Sequence, residues 1–357
     1  MKILVTGGAG MVGSHAAEYW AAKGHEVTVL DNLMRSTLFG SQRESVEFNW
    51  RSLAQRGDVR LVKGDIRRAE DVRQAVGAGV DVVLHAAAQP GVGFSIEHPE
   101  EDFTINAQGT LQVLEVVRQR SPNATVLYCS TNKVYGTNVD ALPLIEQQSR
   151  YAFQGGLAGI SEAVSVDFAG HTPYGVSKLA GELYVQDYAY TYKMRTAVFR
   201  MSCIYGIRQF GFEDQGWIAH FTISTLLGRP LTIYGDGKQV RDVLYVEDLI
   251  KVFDAFVASP HRHGVFNIGG GPTQTLSLLE LLDCLERLTG KRSRVTFRGW
   301  RPSDQRVYVS DLARVQQALP WQPRIGPEEG VGRLVKWVEQ HRDLFEERTS
   351  SGVAVRT

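Results

Sequence analysis

Tyr174 and Lys178 stand four residues apart, so on a helix the phenol and the ammonium share one face and can act on one proton. A tyrosine loses its proton near pH ~10, and it works as a base near neutrality only where cations stabilise the phenolate. The spacing alone decides nothing, because it occurs three times: Tyr19 with Lys23, Tyr174 with Lys178, and Tyr234 with Lys238. Tyr19 and Lys23 fall at the far end of the first expected helix and read as surface and packing residues. Tyr234-Gly235-Asp236-Gly237-Lys238 is a turn whose members need not share a face. Thr172-Pro173-Tyr174 is different: Thr can cap a helix, Pro suits its first position, and a helical run to about 193 then places Tyr174 and Lys178 together. Thr131, at the end of an apolar run, can orient a reacting hydroxyl, whereas Ser130 equally suits a satisfied strand-end hydroxyl.

A phosphate cradle lies at the other end of the chain. Thr6-Gly7-Gly8-Ala9-Gly10-Met11-Val12-Gly13 follows an apolar run and opens a helix. Small residues there let the backbone approach a pyrophosphate, and the helix start offers free N–H groups and partial positive charge. Gly7, Gly10, Met11, Val12 and Gly13 are therefore candidate dinucleotide contacts. Asp31 ends the second apolar run about 20 residues on, where a carboxylate accepts hydrogen bonds from an adenosine ribose. That favours NAD over NADP, although Arg35 stands nearby and Asp31-Asn32 also suits a turn. Asp65, with Ile66 beside it, follows the third run and is a weaker candidate for the adenine edge, since a Gly-Asp turn explains it equally well.

The elements that must position these groups follow from periodicity. Short apolar runs recur at 2–6, 26–30, 59–63, 80–85, 124–130, 195–202 and 264–268, separated mostly by segments of helical period such as 102–120. Strands alternating with helices, each strand apolar on both sides, give an α/β fold: a Rossmann-type doubly wound parallel sheet, with ligands at the carboxyl edge of its strands. The chain has 357 residues, beyond the roughly 250–300 at which one core stops growing. Two units are expected: residues 1–202 with a return segment at about 239–268, and a smaller mixed α/β substrate-binding lobe from 203–238 and 269–357. The smaller lobe carries helical stretches at 276–289 and 329–344, and 136–172 is a long connection without a readable motif.

Composition excludes several classes. Lys plus Arg and Asp plus Glu both number 39, so no basic field exists to draw nucleic acid or an anionic bilayer. Hydrophobic residues make up 43% and charged residues 22%, ordinary for a globular protein. No apolar run reaches about 18 residues, so no membrane span is expected. Cys129, Cys203 and Cys284 are widely spaced without His pairs, suggesting neither disulfides nor a metal site and fitting a reducing cytoplasm.

Taken together these residues resemble the extended short-chain dehydrogenase/reductase family of sugar-nucleotide epimerases and dehydratases. The likeness covers nearly the whole chain. It adds His85-Ala86-Ala87-Ala88-Gln89, Asn106, the run Arg241 to Asp248, and Asn267-Ile268-Gly269-Gly270. The resemblance implies NAD as cofactor, contacts from Ala86 and Ala87 as well as Tyr174 and Lys178, proton transfer by Tyr174 assisted by Thr131, and a homodimer paired through the helices starting near 102 and 174. Family dehydratases carry an Asp-Glu pair directly after the catalytic Thr; here Asn132 and Lys133 stand there, and neither replaces a carboxylate in expelling water. What remains is oxidation and re-reduction of a sugar carbon, and the strip from Thr131 with Arg200–Phe210 is similar to CDP-paratose (CDP-tyvelose) 2-epimerases, which invert carbon 2 of a CDP-linked deoxyhexose. Carbon 4 of a UDP-hexose, or another NAD-dependent sugar-nucleotide oxidation, is the alternative, and a non-catalytic NAD-binding regulator a third. Candidate substrate contacts are Asn132, Lys133, Arg208, Gln209, Arg241 and Arg306, with Arg241 the first choice for a diphosphate because a guanidinium offers paired donors. The Trp217 and Phe221 stripe reads as lobe packing.

Overall fold

Alternation within the first strand sets the layering. In β1 (Lys2–Thr6), Ile3 and Val5 point to one face and Leu4 to the other, as the two-residue repeat of a strand requires, and all three are buried. The computed structural model describes residues 1–38, 43–301 and 304–346. After β1 come α1 (Met11–Ala22), β2 (Glu26–Asp31), β3 (Val59–Lys63), β4 (Val82–His85), α2 (Gly109–Arg120), β5 (Thr125–Thr131), α3 (Pro173–Tyr192), β6 (Arg195–Met201), α4 (Val246–Ala258) and β7 (His263–Ile268). Among the described residues these seven strands form one parallel sheet in the order β7-β6-β5-β4-β1-β2-β3. All seven expected apolar runs are strands, with small differences at their ends.

Each face of the sheet has its own core. Ile3, Val5, Val29, Leu127 and Phe199 pack against Trp20 of α1 and Phe253 and Phe256 of α4. Leu4, Val83, Val126 and Val198 pack against Val113 and Val117 of α2, Val185 of α3 and Val72 and Val76 of the helix Ala69–Val76. The order reverses between β1 and β4, and the crevice outside their carboxyl ends is where a doubly wound sheet takes its ligand.

The smaller lobe is built on very short strands. Thr275–Ser277, Val240–Tyr245 and Val307–Tyr308 pair in that order, and Cys203–Tyr205 pairs with Val243–Tyr245. Leu231–Tyr234 pairs in parallel with Val295–Arg298. The helices Trp217–Leu227, Leu278–Thr289 and Pro327–Gln340 close a separate core around Phe221, Leu285 and Trp337. Trp217 and Phe221 meet edge to face inside it, as packing residues do. Two segments fall elsewhere than expected. Val240–Tyr245 is hydrogen-bonded in the smaller sheet, so the chain re-enters the large one through α4 and β7. Leu312, Val315, Leu319 and Trp321 pack into the core of the large sheet. The part of the expected lobe beyond 346 lies outside the described residues.

The expected helix at 102–120 is interrupted. Pro99–Phe103 is helical, Thr104–Gln108 opens into a wider π turn, and α2 follows. Asn106 sits in that turn, fully buried, donating to Gln89 O (3.0 Å) and Ser177 Oγ (3.1 Å) and accepting from Gln89 N (2.9 Å). Such bulges gather at functional sites. Residues 136–172 contain a hairpin of Leu144–Glu146 and Tyr151–Phe153 and are tied to the smaller lobe by Tyr151 N to Lys238 O (2.9 Å) and Ile160 N to Val309 O (2.7 Å). Among the described residues no helix is long and apolar enough to cross a membrane.

Candidate active site

The turn between β1 and α1 needs glycine for steric reasons. Gly7 has φ +72°, and a Cβ there would lie 2.6 Å from Ala87 N; one on Gly13 would lie 2.3 Å from Gly7 O. Gly7 N donates to Leu30 O (2.8 Å) and Gly10 N to Gly7 O (3.1 Å), closing the loop tightly over β2. No side chain caps α1 at Gly10, so the first-turn N–H groups of Met11, Val12 and Gly13, which a helix leaves without internal partners, open onto a cavity of about 320 Å³. Buried Asn49 braces the loop from behind, donating to Ala9 O (2.9 Å).

Carboxylates mark one end of this cavity. Asp31 accepts from Ala9 N (2.9 Å) and Leu33 N (2.8 Å), so it forms the turn and still has lone pairs to offer a ribose. Burial raises its pKa, and the two N–H groups pull it back. Asn32 donates to Asp65 (3.0 Å), and Arg67 grips Asp65 from Nε and Nη2 (3.0 and 2.7 Å). Burial alone would raise the Asp65 pKa, but Arg67 and Asn32 hold it below the usual carboxylate range. Asp31, Asn32, Asp65, Ile66, Ala86 and Ala87 all line the cavity.

The opposite end holds the candidate reacting groups. α3 begins as its sequence requires: Thr172 Oγ1 accepts from Gly175 N (3.3 Å) and Pro173 takes the first position. Tyr174 and Lys178 then line the cavity together with Thr131 at the end of β5. Burial pushes the Tyr174 phenol up to about 12, partly offset by the Thr131 hydroxyl. Burial pushes Lys178 down to about 8, opposed by Cys129, Asp102 and Glu182. Its Nζ stands 4.3 Å from the centroid of the Tyr128 ring, and among the described residues no ion pair holds it. The other two Tyr/Lys pairs have structural partners: Tyr19 and Lys23 both bond Asp254 of α4, while Tyr234 bonds Glu213 and Lys238 bonds Glu146. Ser130 donates to the fully buried Glu182 (2.8 Å), which Arg200 holds at 2.5 Å, so it is a satisfied strand-end hydroxyl. His85 lies between Thr6 Oγ1 (2.7 Å) and Thr110 Oγ1 (3.0 Å), and burial lowers it to about 3, leaving it neutral.

The expected substrate contacts divide. Arg208 and Gln209 line the cavity, whereas Asn132, Lys133, Arg241 and Arg306 stand outside its wall. Asn132 accepts from Thr131 Oγ1 (3.3 Å). Burial, then Arg241, pushes Lys133 down to about 8. Arg241 is 8% exposed and paired with Asp304 (2.7 Å), a partly buried ion pair. Arg306 is exposed and lies over the rings of Tyr151 (5.4 Å) and Trp300 (5.5 Å). Sequence reasoning gave no site role to two cavity or near-cavity groups, Cys129 and Asp102, and weighed a third, Arg35, only in choosing between NAD and NADP. Cys129 lines the reacting end with its thiol pushed by burial to about 12. Arg35 reaches Gln215 Oε1 (2.6 Å) across the adenosine end. Asp102, buried under the dyad, accepts from Gln89 Nε2 and Asn106 Nδ2 (both 3.0 Å); its four-residue spacing from Asn106 was the available signal.

An elongated cavity with carboxylates at one end, bare N–H groups in the middle and a phenol–ammonium pair at the other fits a dinucleotide. Comparison with known proteins agrees. The family described as "NAD dependent epimerase/dehydratase family" matches residues 3–269. A CDP-paratose 2-epimerase of Salmonella typhi is 39% identical, covering 94% of this chain and 99% of its own. A UDP-glucose 4-epimerase of Mycolicibacterium smegmatis is 31% identical, covering 94% and 98%. The crystal structure of a UDP-glucuronic acid 4-epimerase from Bacillus cereus, in complex with UDP-glucuronic acid and NAD, superposes with a TM-score of 0.78 at 27% identity, covering 95% of this chain and 99% of that one.

Proposed function

The chain belongs to the NAD dependent epimerase/dehydratase family, and from that premise we propose that it inverts carbon 2 of a CDP-linked deoxyhexose through a transient 2-keto sugar. The carrying observation is negative charge in the wrong place for dehydration. Among the described residues the carboxylates lining the cavity are Asp31 and Asp65, both at the adenosine end, while Thr131, Tyr174 and Lys178 are accompanied by Cys129, Ser130, Met201, Ser202 and Ile204. Expelling water from a sugar needs an acid and a base besides the tyrosine. Asn132 does not titrate, and Lys133 is not part of the cavity lining.

In this reading Thr131 and Tyr174 hold the carbon 2 hydroxyl, and the phenolate, stabilised by Lys178, takes its proton. When bound, NAD supplies a reversible hydride acceptor at that end of the cavity. The keto sugar turns over, the hydride returns to carbon 2 on its other face, and Tyr174 returns the proton to the oxygen, so nothing is consumed. Arg241 and Lys133 hold the sugar diphosphate beyond the cavity wall. The nucleobase and the carbon rest on the Salmonella relative, which is more similar than the UDP-glucose 4-epimerase.

Incubating the protein with CDP-paratose, CDP-glucose and UDP-glucose, and following carbons 2 and 4 by NMR, tests the reading. Inversion at carbon 2 of the CDP sugar is expected; inversion only at carbon 4 would establish the UDP-hexose alternative instead. A homodimer in the cytoplasm completes the proposal. Val176, Leu183 and Tyr190 recur every seven residues along one face of α3, each more than half exposed, next to exposed Phe103. Sedimentation showing monomer alone at micromolar concentration would refute the pairing.

A further inference from the structure

The crevice beside the start of α1 has a second wall. Arg208 and Gln209, just beyond the strand Cys203–Tyr205 in the smaller lobe, both line the cavity with Gly10, Met11 and Val12. Arg208 is 7% exposed, and its Nη1 is ion-paired with Glu18 of α1. Its Nε is buried and has no hydrogen-bond partner among the described residues. Gln209 spends its Nε2 on Ile204 O (3.2 Å), and its Oε1 is likewise buried without a partner. A buried cationic donor without an acceptor is unfavourable, so such an orphan at a cavity wall marks a place where a ligand completes the bonding.

Position and chemistry say which ligand. Met11, His15 and Glu18 follow one another on one face of α1, at i, i+4 and i+7. Arg208 is bonded to Glu18 and close enough to His15 to help burial hold that imidazole neutral, so it lies along the face that ends at the helix's first turn. Arg208 also has φ +60°, a region a non-glycine residue seldom adopts. A guanidinium presents a planar set of donors matched to phosphate oxygens.

We propose that Arg208 is a clasp on the cofactor's diphosphate: oriented by Glu18, it closes the crevice from the smaller lobe and holds the diphosphate against the first turn of α1. The cofactor is then retained between turnovers. The sequence suggested a substrate contact for Arg208; the cavity geometry directs it to the cofactor. Retention suits a reaction that returns its cofactor to the starting oxidation state in every cycle. The inference rests on the cofactor site alone and is indifferent to which sugar is turned over.

The test compares ADP with adenosine on protein stripped of NAD, by calorimetry, for the wild type, Arg208→Gln and Arg208→Lys, together with the NAD retained through gel filtration. Arg208→Gln should weaken ADP roughly 10- to 100-fold, the range for hydrogen bonds to charged groups, leave adenosine unchanged and lose NAD on the column. Arg208→Lys, which keeps the charge, serves if the first variant does not fold; a several-fold selective loss of ADP is expected. Unchanged ADP binding overturns the clasp, and so does equal weakening of ADP and adenosine, which would make Arg208 a tie between lobes. Wild-type protein that binds neither nucleotide would count against the cofactor site itself, a different failure.

Discussion

Replacing Tyr174 with Phe removes a single oxygen from the reacting end of the cavity. Burial places that phenol at about 12, so at pH 7 roughly one molecule in 10⁵ would carry the phenolate, a deficit of about 7 kcal/mol. Thr131, Lys178 and the positive nicotinamide ring must offset most of it when the substrate is oxidised. Deleting the group removes both the offset and the base, and general-base catalysis contributes about 10²- to 10⁴-fold. We therefore expect kcat to fall by about 10³-fold with KM little changed, because in the proposed mechanism the only substrate atom the hydroxyl meets is the reacting oxygen. The fold should be untouched: the Thr172 cap and the bond from Tyr174 N to Ser95 Oγ (3.1 Å) are independent of the phenol oxygen. The assay is NMR-monitored epimerisation of whichever nucleotide sugar the wild type converts, with thermal unfolding as a control. A loss smaller than tenfold in a fully folded variant would remove Tyr174 from the chemistry.

Lys178→Met should abolish turnover yet stabilise the NAD-free protein. The folded lysine releases its proton near 8 while the unfolded one keeps it to 10.5, so a charge penalty of about 3 kcal/mol is present below pH 8 and relieved between 8 and 10.5. Urea unfolding should show the variant's gain at pH 7 shrinking by pH 10; a loss of stability at pH 7 would contradict this. The same titration predicts that wild-type kcat declines as pH rises through about 8, and a profile flat to pH 10 would show that the ammonium is dispensable. Arg200→Met should cost about 3–5 kcal/mol in urea, because it strands the fully buried Glu182 carboxylate, and adding Glu182→Leu should recover much of the loss; a single variant within 1 kcal/mol of wild type, about the scale of an exposed ion pair, would mean the pair is solvated.

The large sheet was legible because its strands are buried on both faces and announce themselves as unbroken apolar runs, and because the glycines, Thr172 and Pro173 carry local backbone demands that a sequence displays directly. The smaller lobe was not. Cys203–Tyr205 and Thr275–Ser277 are three residues long, too short for a period, and find partners tens of residues away. Residues 136–172 are organised by bonds such as Ile160 N to Val309 O, which no local pattern encodes. That Thr131, Tyr174 and Lys178 line one cavity could be anticipated from their surroundings, but the division among the arginines could not. Arg208 meets Glu18 across 190 residues of chain, and Arg306 lies against Tyr151 of the distant hairpin and Trp300 nearby in the chain.

Asn267 gives the molecule a sequence in time. Its side chain accepts from Tyr135 OH (2.7 Å) and donates to Ile160 O (2.8 Å), and its backbone N–H donates to Glu162 (2.6 Å). The stretch leading into Tyr174 therefore rests on a residue made about a hundred positions later. On the ribosome the glycine turn and the first strands can assemble as they emerge, whereas these bonds to the segment before Tyr174 form only once β7 has been synthesised. A chain that stops before β7 carries every residue of the cavity lining yet lacks these bonds to the segment that leads into Tyr174.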